Sequence, residues 1–259
     1  MPDLLNEYDY KLHFEVDNLG ECTIQIHRNE FFFGAQFEKI MKKAEFSEDD
    51  REYFNDKLII KSGSVYDFLP GVGDEVNIGP FSGDIYFYKL VLQSDNQEKY
   101  FYKSGNQADL PWKGVRIYRD NFRVRPYGDP DSSAYDWLLL SNRKAKSPAA
   151  PSHTDGKWRV AADQICGTVL ISRTNITLPD QANREGFVET PEFSVLKNFL
   201  LAVIQLFESD RQYVFKKLNA YYEKTHPTQQ FETEITQKAA FVEAQKKQDG
   251  NTLSQNAAL

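Results

Sequence analysis

Residues 8–28 alternate apolar and polar positions on either side of Asn18-Leu19-Gly20. Leu12, Phe14 and Val16 fall on one face, and Cys22, Ile24 and Ile26 repeat the alternation after the turn, so the segment predicts a β-hairpin. Residues 34–60 instead mix charges with spaced apolar positions: Phe37, Ile40 and Met41, then Tyr53, Phe54 and Leu58. Ser47 ahead of Glu48, Asp49 and Asp50 predicts a helix start, because a hydroxyl can cap free amides and early acids suit the N-terminal end of the helix dipole. A strand-like pattern returns over 65–102, where Asn77-Ile78-Gly79-Pro80-Phe81 introduces the Tyr/Phe-rich run 85–92. The clearest hairpin is 113–128, in which Val115 and Ile117 alternate with Arg116 and Tyr118, Asp120-Asn121 supply the turn, and Val124 alternates with Arg123 and Arg125.

Residues 143–157 are rich in Pro, Ala and Ser and read as a surface loop, followed by a further strand over about 164–173. Then comes the longest helix, 191–224. Thr190 can cap it, Pro191 suits its first turn, and Phe193, Leu196, Leu200, Val203, Phe207, Val214 and Leu218 form an apolar stripe of the kind that packs against a core or another helix. Pro227 breaks it; a second amphipathic stretch covers about 232–247, and the tail from Gln248 reads as disordered. The expected fold is therefore α+β, a mixed sheet with helices on one face and a long helix leaving it. The expected organisation is one domain over 1–225 and a helix-plus-tail segment over 226–259.

Composition narrows the function classes. The 259 residues are 41% hydrophobic, 14% aromatic and 27% charged, a globular balance whose Phe and Tyr content favours β structure. A net charge of -7 argues against a surface devoted to nucleic acid, though not against a local basic patch. No stretch approaches a membrane span and the N-terminus does not resemble a signal peptide. Cys22 and Cys166 sit far apart in apolar, strand-like segments, as reduced core thiols of a cytoplasmic protein would.

Little enzymatic chemistry is legible. His13, His27, His153 and His226 are scattered, neither cysteine has a partner at metal-ligand spacing, and no G-x-S-x-G occurs. Gly71-Val72-Gly73 and Gly79 complete no phosphate-binding motif. Two constellations remain. Lys113, Arg116, Arg119, Arg123 and Arg125 concentrate positive charge in one hairpin, which suits either a solvated sheet face or a contact with nucleic acid, another anion or an acidic partner. Asn183-Arg184-Glu185-Gly186-Phe187, between the last strand and the long helix, suits either a local salt bridge or an outward-aimed guanidinium matched to phosphate oxygens.

These two segments, in this order, carry a family resemblance. Leu178-Pro179-Asp180-Gln181-Ala182-Asn183-Arg184-Glu185 ahead of a striped helix is similar to a loop in the middle domain of the large heat-shock chaperone. Gly114-Val115-Arg116-Ile117-Tyr118-Arg119-Asp120-Asn121-Phe122-Arg123-Val124-Arg125-Pro126-Tyr127, and Ile78-Gly79-Pro80-Phe81 ahead of it, resemble segments of bacterial ATPases of the gyrase, heat-shock-chaperone, histidine-kinase and MutL (GHKL) superfamily and the related MORC proteins. The likeness covers about 75–215 and departs from the chaperone at Asp180-Gln181-Ala182, where the chaperone has a single Leu-Asn step. It implies a transducer domain, ribosomal-protein-like in fold, in which Arg184 senses the γ-phosphate of ATP and Asn183 and Glu185 shape the loop. The superfamily's ATP-binding motifs do not occur in the chain, so the resemblance implies a piece of a longer protein. That piece would be no enzyme alone and would hold no cofactor; ATP and Mg²⁺ would be bound by an ATPase domain upstream. The implied partner is that domain, with homodimerisation and a nucleic-acid or protein client as further candidates and no role for a membrane.

Overall fold

In the computed structural model, which describes residues 8, 10–28, 46–71, 76–87, 112–147, 156–181 and 186–226, alternation produces the first hairpin as its spacing dictates. Strands β1 (Tyr10–Val16) and β2 (Glu21–Arg28) pair antiparallel with Leu12 opposite Ile26, Phe14 opposite Ile24 and Val16 opposite Cys22. Gly20 turns the chain with a φ of 82°, a conformation open to glycine at little cost. Helix α1 (Glu48–Asn55) starts at Ser47 through a complete capping box: Ser47 Oγ accepts the Asp50 amide at 3.0 Å and the Asp50 carboxylate accepts the Ser47 amide at 3.4 Å.

Two boundaries differ from the sequence pattern. Leu58 opens a strand, β3 (Leu58–Ser64), and Val65–Phe68 is a single 3-10 turn rather than the start of strand structure. β3 lies at the sheet edge with Leu58 and Ile60 exposed, so neither face is buried enough to impose a period of two. Strand β4 (Phe81–Phe87) takes the first part of the aromatic run; Phe37, Ile40, Met41 and residues 88–102 lie outside the described residues. β5 (Gly114–Arg119) and β6 (Phe122–Val124) form the second hairpin around Asp120-Asn121. Part of the expected loop 143–157 is helical instead: α2 (Leu140–Ala145) is held at its start by the Asp136 carboxylate, which accepts the Leu140 and Ser141 amides at 2.8 Å each. β7 (Ile165–Ile171) matches the expected last strand.

The seven strands form one mixed sheet in the order β3-β2-β1-β4-β7-β5-β6. Every neighbour is antiparallel except β5 and β7, so the last strand enters between β4 and β5. Its register puts Tyr10, Leu12, Phe14, Val16, Phe81, Ile85, Phe87, Val169 and Ile117 on one face, all buried. Helix α3 (Pro191–Thr225) covers that face with its residues up to Phe215. The Thr190 hydroxyl accepts the Phe193 amide at 3.2 Å as its cap, and every residue of the expected stripe is buried. Phe199 meets Phe14 and Phe81 edge-on at 6.2 and 5.7 Å, and Phe207 meets Tyr10 and Phe87 at 4.8 and 5.2 Å. Gly83 is required beneath this helix, since a Cβ there would lie 2.4 Å from both the Phe14 ring and the Thr168 carbonyl. The architecture is α+β, as the patterning predicts.

Contacts divide the chain inside α3, into Met1–Phe215 and Lys216–Leu259. In the second unit, α3 closes with the His226 amide bonded to the Tyr222 carbonyl and the His226 ring stacked on Tyr222. The stretch 232–247 and the tail from Gln248 lie outside the described residues.

Candidate functional site: a hairpin that holds a loop

The structure sets the hairpin 113–128 against Gly186 and Phe187, the described end of the second constellation. The β5–β6 turn places Asp120 at a φ of 52°; its amide donates to the Ile171 carbonyl and its carboxylate takes the Arg173 amide and guanidinium. Beyond β7, the Asn175 side-chain amide donates to the carbonyls of Ile78 and Pro80 at 3.0 Å each, tying the 172–181 segment to the entry of β4. That segment then doubles back. Asp180 and Phe187 form an antiparallel bridge, the Gln181 amide donates to Gly186 O at 2.8 Å and the Val188 amide to Pro179 O at 2.9 Å. Asn183, Arg184 and Glu185 lie outside the described residues; by sequence they connect the two legs this ladder closes.

Both legs are gripped by the basic hairpin. Arg119, at the end of β5 with its side chain only 12% exposed, donates through Nε to Asp180 Oδ1 at 3.0 Å and through Nη1 to the carbonyls of Ser172 and Asn175 at 3.3 and 3.2 Å. Its Nη2 donates to the Leu178 carbonyl, and the guanidinium lies over the Phe187 ring at 5.2 Å. Its planar fork thus engages four acceptors of one segment, a geometry that lysine cannot copy. On the other leg the Phe187 amide donates to Tyr127 Oη at 3.1 Å, and the two rings stack at 5.9 Å. Tyr127 also meets Trp137 and Phe193, which carries the contact into the first turn of α3. Burial pushes the Tyr127 hydroxyl above its ordinary pKa, so it stays neutral beside this backbone. Gly186 takes a φ of 120°, and a Cβ there would sit 3.1 Å from Tyr127 Oη.

The five basic residues therefore do not act as one patch. Lys113 and Arg125 are exposed, whereas Arg116, Arg119 and Arg123 are half-buried. Arg116 lies over the Trp112 ring at 4.9 Å and Arg123 approaches Asp129 at 3.6 Å. Arg116, Tyr118 and Arg123 share the sheet face away from α3, as alternation requires. On that face, at the end of the sheet, lies a groove of about 750 Å³ whose lining includes Glu15, Asp17, Glu21 and Asp120 and no lysine or arginine. It is a poor seat for phosphate on charge alone.

A second, closed polar cluster lies among residues that the sequence analysis does not single out. Asp210 and Arg28 pair at 2.5 Å with both side chains 3% exposed; Asp210 also accepts the hydroxyls of Tyr10 at 3.0 Å and Tyr53 at 2.5 Å. Next to it Arg211 lies over the Phe87 ring at 4.2 Å and donates to the Trp158 carbonyl. Burial, then Asp210, raises the pKa of Tyr10 well above the ordinary value and that of Tyr53 likewise. The signal was present in the helix stripe: between Phe207 and Val214 the next core position is occupied by Asp210-Arg211, an ionic step in an apolar series. The cluster has its donors and acceptors facing one another and is a packing device.

His13 sits between Asp84 at 3.0 Å and Glu15 at 3.3 Å, and His27 beside Gln25, both on the outer sheet face; His153 lies outside the described residues. Cys22 and Cys166 are free, buried thiols whose pKa burial pushes up to about 11. Among the described residues no group of His, Cys, Asp and Glu is arranged to hold a metal, and no helix is long and apolar enough to cross a membrane. No family model and no curated protein matches the sequence.

Proposed function

We propose that this chain is the transducer domain of a GHKL-superfamily ATPase and that Arg184 contacts the γ-phosphate of ATP held by an upstream domain. One observation carries the reading: the only described legs of the loop bearing Arg184 are closed by a backbone ladder, gripped by Arg119 and Tyr127, and continuous within a few residues with α3. By sequence Arg184 lies between those legs, and in this reading its fixed charge would stabilise the developing anion at the phosphate. At its other end the same mount is joined to the longest helix, the natural path for relaying loss of the phosphate contact to a dimer interface or client. ATP and Mg²⁺ belong to the upstream domain in this reading, and the protein is cytoplasmic. The engagement of Arg116, Arg119 and Arg123 favours a scaffolding hairpin over a nucleic-acid surface.

The test is Arg184→Ala in a protein that also carries the ATP-binding domain. Turnover should fall by about 100-fold, the effect of deleting one preorganised charge at a reacting phosphate, while the thermal midpoint stays within a degree or so. The chain by itself should not hydrolyse ATP. Unchanged turnover in the variant, or hydrolysis by the isolated chain, ends this reading. A gel shift that weakens steeply with salt and collapses in Arg123→Ala with Arg125→Ala would replace it with nucleic-acid binding.

A further inference from the structure

We propose that the groove at the end of the sheet seats an extended peptide segment of a partner, one that carries Lys or Arg side chains. The groove runs across the strands: its lining passes from Ser62 on β3 through Thr23, Glu15 and Ser82 to Leu170 on β7. Those are five adjacent strands, and the four spacings between them, about 4.8 Å each, make a trough roughly 19 Å long. An extended chain advances about 3.3 Å per residue, so roughly six residues fill it, with alternate side chains facing the sheet.

The lining combines two chemistries. Leu170 is the only exposed position of β7 and stands 44% open, an apolar contact that a partner can cover. Glu15, Asp17, Glu21 and Asp120 are spread along the groove from β2 to the β5–β6 turn, and no lysine or arginine lines it. Glu15 has His13 beside it and Asp120 has Arg173, but Asp17 and Glu21 meet no cation among the described residues. Asp17 Oδ1 accepts the Leu19 and Glu21 amides at 2.8 and 2.9 Å, which fixes the carboxylate and leaves Oδ2 unused among the described residues. The negative field is felt at Cys22, which also lines the groove: after burial, Glu21, Asp67 and Asp17 push its thiol up to about 11. A phosphate-bearing ligand is repelled here, and no group of described residues is arranged to hold a bare metal ion. Long cationic side chains suit both chemistries, since their methylene stems cover Leu170 while their charged ends reach the carboxylates.

The test is an NMR titration of the chain with a capped hexapeptide that alternates lysine and valine. Amide shifts should concentrate at Glu21, Thr23, Ser82 and Leu170, and the affinity should fall at least about fivefold between about 50 and about 300 mM salt. Glu21→Gln combined with Asp17→Asn, which keeps the side-chain oxygen that accepts the turn amides, should weaken binding at least about fivefold with the thermal midpoint unchanged. Leu170→Ser should weaken it as well while leaving every carboxylate in place, and it serves if the first variant fails to fold. No response up to about 1 mM peptide, shifts centred elsewhere, or equal binding of a glutamate–valine counterpart overturns the proposal. Binding that neither variant alters also overturns it. Spermine competing on equal terms with the hexapeptide would mean that the groove selects charge alone, which overturns the peptide as occupant.

Discussion

Asp210, only 4% exposed, accepts from Arg28, Tyr10 and Tyr53. Burying an ion pair gives little net stability, but removing one partner strands the other in low dielectric. Asp210→Ala should therefore destabilise the fold by about 3–5 kcal/mol, measured as a drop in the urea midpoint with the slope preserved. A loss below 1 kcal/mol would mean that water enters the cluster. Asp210 shows what a sequence leaves hidden at this scale. Its helix position was readable as a break in the apolar stripe, but its partners lie 157, 182 and 200 residues away and follow no local period. Arg119 has the same history. Charge counting placed it in a basic patch with Arg116, Arg123 and Arg125, and only the long-range contact with Asp180 showed which side of the sheet its guanidinium serves.

Elements with a strong period were readable and those at the margins were not. The hairpins at 10–28 and 114–124 and the cap and stripe of α3 follow from alternation, turn residues and spacing. β3 escaped because an edge strand with Lys61, Ser62 and Gly63 has no face that must stay dry, and α2 because six residues are too few to show a helical period. α1 shows the opposite case, where local chemistry alone specifies an element. Ser47→Ala removes the hydroxyl that accepts the Asp50 amide and should cost about 1 kcal/mol. Asp50 also accepts the Tyr213 hydroxyl at 2.6 Å, so the capping box orients a carboxylate for α3. A thermal midpoint unchanged by Ser47→Ala would show that this tertiary bond suffices to place Asp50.

For the molecule as a whole, the buried acids set an alkaline limit. Tyr10, Tyr53 and Tyr127 have pKa values raised by burial, and Cys22 and Cys166 are pushed from 9.0 to about 11. Below the unfolded values these groups are neutral in both states and their contribution is fully present. Above them the unfolded chain loses protons that the folded chain keeps, so stability falls as pH rises past about 9 for the thiols and 10 for the phenols. In a titration from pH 8 to 12 the ring resonances of Tyr10, Tyr53 and Tyr127 should keep their neutral-form shifts until circular dichroism is lost, and ionisation of these three in folded protein near pH 10 would contradict it. The order of the strands has a different consequence, one of timing. Of the described strands β7 is the last to leave the ribosome, yet it is the piece that joins β4 to β5. The 40 residues between β6 and β7 take roughly 2–8 seconds to be synthesised. For that interval both halves of the sheet carry an open edge beside apolar faces, the arrangement that recruits foreign strands. A nascent chain stalled before residue 165 is thus a natural client for a chaperone, whatever the finished protein does.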